Sequence, residues 1–70
     1  MKKIGKVMVF DGRTGIIFAL EEEKTVDFSA RDFSEDSLKV GDVVEFREEK
    51  RADEVRLARN IKVIQKKKTH

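Results

Sequence analysis

Four short β-rich runs set the terms for this chain: KVMVF (6–10), IIFAL (16–20), TVDFS (25–29) and VVEFRE (43–48). Each has the length and residue types of a strand, and the stretches between them carry turn residues. DGRTG, between the first two, holds an Asp-Gly pair and a second glycine, residues that suit positive backbone angles. Residues 6–20 therefore read as a hairpin with a loop of about five residues. EEEK (21–24) is the next turn, although it contains none of the usual turn formers. ARDFSEDSLKVGD (30–42) has no sustained period. It reads as a connection with a helical turn, with Leu38 and Val40 pointing inward and Gly41-Asp42 making a tight turn.

The last segment, ADEVRLARNIKVI, reads two ways. Alternation at Val55/Leu57 and again at Ile61/Val63 suits a strand bent near Asn60. On a helix, Leu57, Ala58, Ile61 and Ile64 would share a face, but Ala52, Val55 and Val63 would fall on the other side. A sheet with a C-terminal helix from residue 52 is thus the alternative, and strand is the better fit. Five short strands with one long connection predict an all-β fold, a small five-stranded OB-fold-like Greek-key barrel.

Seventy residues enclose one core, and without cysteine no disulfide reinforces it. The expected organisation is a short N-terminal end (1–3), one domain (4–65) and a basic C-terminal tail (66–70). Absence of cysteine also removes thiolate chemistry and suits a reducing cytoplasm. The start MKKIGKVMVF lacks the apolar core and cleavage site of a signal peptide, and no stretch approaches the ~18 apolar residues of a membrane span. The net charge of +2 is uneven. Lys2, Lys3, Lys66, Lys67 and Lys68 lie at the two ends, while residues 4–65 hold eleven basic and fourteen acidic side chains. An acidic body argues against strong, non-specific binding of nucleic acid unless the charges are segregated.

Several stretches, taken in order, resemble the cold-shock domain family. GKVMVF resembles its first strand, TGIIF the strand bearing its first ribonucleoprotein motif, and VDFSA the end of its second motif. LKVGDVVEF resembles the approach to its fourth strand, and ARNI the stretch that closes its barrel. The matches run from Gly5 to about Ile64. The resemblance implies a five-stranded barrel that binds single-stranded RNA or DNA on stacked aromatic rings.

This chain departs from the family pattern where that function would lie. The family has Lys-Trp-Phe before the first turn; here Met8-Val9-Phe10 stands. Its first motif, Lys-Gly-aromatic-Gly-Phe-Ile, becomes Thr14-Gly15-Ile16-Ile17-Phe18-Ala19, and its second, Val-Phe-Val-His-Phe-Ser, becomes Lys24-Thr25-Val26-Asp27-Phe28-Ser29. The hairpin joining strands two and three is also shorter than is common there. Phe18 and Phe28 keep their rings; Val9, Ile16, Thr25 and Asp27 do not. Stacking on a ring is worth ~1–3 kcal/mol per base, so the loss of two or three rings predicts weak binding.

Strand alternation places Ile16, Phe18 and Leu20 on one face. If Ile17 and Ala19 fill the interior, that face is exposed and apolar. In the opposite register Phe18 is buried and the platform vanishes. Phe10 and Phe46 read as packing residues, and Phe33 as a cap or an extension of the platform. The candidate nucleic-acid-binding set is Phe18 and Phe28 for stacking, Ile16 and Val9 as apolar flanks, and Lys6 and Arg13 near the backbone; Arg31 is a further candidate cation.

Catalysis has little to work with. The one histidine is His70, EEE (21–23) reads as a solvated acidic tip, and neither metal-ligand spacing nor a phosphate-cradling glycine loop occurs. The expectation is a non-enzyme without cofactor that binds single-stranded RNA, or DNA, weakly. The alternative is a protein-interaction or self-association module, a homodimer included, that docks through its aliphatic face.

Overall fold

The computed structural model describes residues 2–29, 31 and 38–66. Five strands, β1 (Lys2–Phe10), β2 (Thr14–Ala19), β3 (Lys24–Ser29), β4 (Val43–Lys50) and β5 (Arg56–Gln65), close into a barrel in the order β1-β2-β3-β5-β4. All neighbours are antiparallel except β3 and β5, whose parallel contact at Asp27↔Leu57 closes the barrel. This is the OB-like all-β architecture expected. No helix among the described residues is long and apolar enough to cross a membrane.

Alternation of side chains decides what fills the interior. Val7, Ile17, Ala19, Val26, Phe28, Val44, Phe46, Ala58 and Ile61 point inward, and Leu38 closes the core from the connection. Val40, expected inward, is about half exposed at 46%. It sits at the apex of the turn in which Asp42 N–H bonds to Lys39 O at 3.1 Å and Gly41 takes a φ of 100°. The buried side chain there is Asp42. Its Oδ2 accepts from Lys39 N–H at 3.0 Å and from Lys66 Nζ at 3.3 Å. The Gly41-Asp42 pair is also stitched to β1, through Gly41 N–H to Val7 O and Val7 N–H to Asp42 O. Phe33 lies outside the described residues, as do residues 30 and 32–37 of the 30–42 connection that was expected to hold a helical turn.

Of the three register shifts among the described strands, two matter for the surface, the third leaving Ile64 extra near the end of β5. In β5, Asn60 and Ile61 stand opposite the single residue Phe46, and Asn60 adopts a φ of 53°. That is the bend expected near Asn60, and it returns Ile61 to the interior three residues after Ala58. In β1, Val7 pairs with Ile17 and Val9 with Ile16, leaving Met8 as the extra residue. Met8 and Val9 are consequently both exposed, and Phe10 turns back to stack on Phe28 with ring centroids 5.6 Å apart.

The first strand begins earlier than expected. Lys2 and Lys3 belong to β1 and pair with Arg47 and Phe46 of β4, so the strand has no separate N-terminal end before residue 4. The first hairpin loop has three residues, Asp11–Arg13, rather than five, because Thr14 already pairs with Ser29.

Lys3 also anchors a four-charge cluster. It bonds Glu22 and lies 3.4 Å from Glu48, while Arg56 lies 3.8 Å from Glu22 and 3.6 Å from Glu48. Hydrogen bonding to Lys3 holds the Glu22 carboxyl below the ordinary glutamate range, with the Lys3 charge adding to the effect. A group lowered in the folded state stabilises above its unfolded pKa, and the contribution is lost as pH falls through the folded value. Thermal melts followed by circular dichroism should therefore show a midpoint that falls as pH drops from 7 to 3, with a shallower fall in Glu22→Gln. An unchanged acid slope in that variant would show that the cluster does not sense pH.

Candidate nucleic-acid interface

The three-residue loop after β1 is locked by its own first residue. Asp11 Oδ1 accepts from Thr14 N–H at 2.9 Å and Arg13 N–H at 2.8 Å, and Gly12 takes a φ of 99° that side chains disfavour. These two backbone donors, that of Thr14 foremost, hold the Asp11 carboxyl below its ordinary range. The loop between β4 and β5 is built the same way. Asp53 Oδ1 accepts from Val55 N–H at 3.3 Å, and Arg51 N–H bonds to Val55 O at 2.8 Å. Both loops are short and internally bonded, so each presents its side chains in a fixed frame.

Between them lies a groove of about 590 Å³. Its apolar part comes from Val9, Ile16 and Leu57, and its sides carry Arg31, Arg51 and Arg59, with Asp11 and Asp27. Register explains the convergence: Val9↔Ile16, Ile16↔Asp27 and Asp27↔Leu57 form one continuous row across β1, β2, β3 and β5. The β1 bulge is what brings Val9 into that row, since unbroken alternation from Gly5 and Val7 would point it inward. In OB barrels this is the region, strands 2–3 with the loops between strands 1–2 and 4–5, that takes oligonucleotides.

The predicted site residues divide around this groove. Val9 and Ile16 line it. Ile17 and Ala19 fill the interior as the exposed-face reading required, and Phe18 is half-buried on the outside, one row away, beside Lys6 and Thr25. Arg13 is exposed in the loop but outside the groove lining. Phe28 is the correction. It is only 2% exposed, because its inward-facing position in β3 commits the ring to the core, stacked on Phe10 and lying over Gly15. It forms part of the groove's underside and presents no free face to a base.

No family model matches the chain, and no curated protein matches it. The groove's chemistry therefore carries the functional reading.

Three of its residues were missed in the sequence. Arg51, Arg59 and Leu57 lie in RADEVRLARN, a stretch whose alternating charge reads as solvent-facing strand. Part of it is strand: Arg59 Nε lies 3.6 Å from Glu49 across β4 and β5, whereas Arg51 Nη2 pairs with Asp53 at 3.0 Å inside the β4–β5 loop. The charge pattern says nothing about the parallel β3–β5 contact that sets Leu57 beside Asp27. Arg31 was singled out from the sequence and does line the groove. Three arginines and two aspartates line the groove, a local excess of one positive charge, while Glu22 and Glu48 are tied up in the cluster with Lys3 and Arg56.

Among the described residues no group of three or more metal-ligating side chains comes together.

Proposed function

We propose that this chain binds single-stranded nucleic acid, RNA foremost, weakly, through the groove between its β1–β2 and β4–β5 loops. The observation that carries this reading is the arginine-flanked apolar row: Arg31, Arg51 and Arg59 around Val9, Ile16 and Leu57. Arginine offers phosphate a bidentate partner and offers a base a planar cation to stack on. Aliphatic side chains give a base contact area but no π-face, so affinity rests on phosphate and sugar contacts and stays low. Phe18, half-buried beside Lys6, extends the surface by one ring rather than by the two expected. The cold-shock resemblance supports the same assignment.

Fluorescence anisotropy of labelled single-stranded oligonucleotides tests it. If the three arginines each neutralise one phosphate, log K should fall with log salt at a slope of about −2. Arg51→Ala with Arg59→Ala should flatten that slope to about −0.7 and weaken binding at low salt. A slope unchanged in the double variant would remove the groove from the binding site.

A second reading has its own observation. Ile4 and Leu20 are 47% and 49% exposed and adjacent, with Leu20 N–H bonded to Ile4 O at 3.1 Å. An apolar pair of this kind suits a protein contact or self-association. Sedimentation should then show concentration-dependent association that survives salt, and Leu20→Lys should abolish it; a monomer at every concentration and no partner contact at this face would end that reading.

A further inference from the structure

Asp27 is an unexpected residue in a groove for a polyanion. Its side chain points outward from the middle of β3, midway along the row, with Ile16 on one side and Leu57 on the other. Both flanking partners are apolar. Among the described residues, none hydrogen-bonds or ion-pairs with its carboxylate. Of the arginines in the lining, Arg51 pairs with Asp53 and Arg59 with Glu49 at the groove's sides. Asp27 thus places two acceptor oxygens in the groove, and no basic side chain among the described residues forms an ion pair with them.

A phosphate is repelled there, so what sits over Asp27 must be a hydrogen-bond donor. In a single strand the donors on offer are base edges, which are unpaired and readable. Uracil shows one N–H between two carbonyls, which face a carboxylate unfavourably. Cytosine and adenine show one amino group beside a ring acceptor. Guanine alone shows two adjacent donors, N1–H and the N2 amino group, and a carboxylate is the matching pair of acceptors. The groove's volume of about 590 Å³ is ample for a base laid on Ile16 and Leu57.

We infer that Asp27 is a specificity-determining residue that selects guanine at the centre of the groove, by accepting both Watson–Crick-edge donors on its two carboxylate oxygens. This rests on the reading of the groove as a nucleic-acid interface and adds base choice to it. The flanking arginines hold the strand's phosphates on either side, and Asp27 turns a sequence-tolerant surface into one with a preferred base.

The test uses the full chain and three labelled oligonucleotides: an all-uridine tract, the same tract with one central guanosine, and the same tract with inosine in that place. Inosine keeps N1–H and lacks the amino group. The guanosine tract should bind about tenfold tighter than the uridine tract, as a bidentate base contact provides. Inosine should lose most of that gain. Asp27→Asn should bring the guanosine-to-uridine ratio near one while keeping or improving uridine binding, because a repulsive charge is removed. Asp27 is exposed, so the variant is expected to fold, and the inosine comparison stands without any variant. Binding of all three tracts with equal affinity, or a guanosine preference that survives in Asp27→Asn, overturns the inference and leaves the groove reading intact. Failure of the chain to bind any tract at low salt overturns both.

Discussion

Phe28→Ala is expected to unfold the domain rather than to disarm its surface. The ring is 2% exposed, stacks on Phe10 and covers Gly15. Truncating a buried phenylalanine costs about 3–5 kcal/mol. A 70-residue domain has roughly 4–10 kcal/mol to lose, at ~0.05–0.15 kcal/mol per residue. The variant should show no cooperative thermal transition, or one lowered by tens of degrees. Phe18→Ala provides the contrast: a half-buried outer ring whose loss should cost about 1 kcal/mol and leave a folded barrel. A folded, thermally robust Phe28→Ala that had merely lost nucleic-acid binding would restore Phe28 to the surface and contradict the core described here.

Gly15→Ala is expected to be nearly as damaging, for a different reason. A Cβ at this position would fall on the carbonyl oxygen of Val9 and on the Phe28 ring. Neither can give way: the oxygen belongs to the backbone of the paired strand β1, and the ring is held from behind by Phe10. The strands would have to part beside the β1 bulge that brings Val9 to the groove. Overpacking at such a site costs about 3 kcal/mol or more, which lowers the melting midpoint of so small a domain by roughly 12–24 °C. Because the strain lands on Val9 and Ile16, binding should fall even in whatever fraction stays folded. A melting point within a few degrees of wild type would show that β1 and β2 approach less closely at Gly15 than described.

Much of the barrel was legible because period-two patterning survives in β2, β3 and β4, where Ile17, Ala19, Val26, Phe28, Val44 and Phe46 alternate inward without interruption. Asn60 announced the bend in β5 because a residue that tolerates positive φ interrupts an otherwise alternating run. The β1 bulge left no such sign. Met8 and Val9 are unremarkable strand residues, and only pairing with β2 shows which of them is extra.

Phe28 was misplaced for a related reason. The resemblance drew its ring and that of Phe18 into one platform, but Phe28 is two residues from buried Val26, and period two puts both inside. Val9 and Ile16 were recognised as flanks from the sequence. The arginines opposite them were not, since Arg51 and Arg59 reach the groove through the parallel closure of β3 on β5, a contact between residues thirty positions apart.

The most direct test of the groove as the nucleic-acid site is an amide-resolved NMR titration of the full chain with a short single-stranded RNA at low salt. Shifts should be concentrated at Val9, Ile16, Asp27, Leu57, Arg51 and Arg59, and should recede when salt is raised. Shifts confined to Ile4 and Leu20, or to the basic residues from Lys66 onward, would contradict it, as would a spectrum that RNA leaves unchanged.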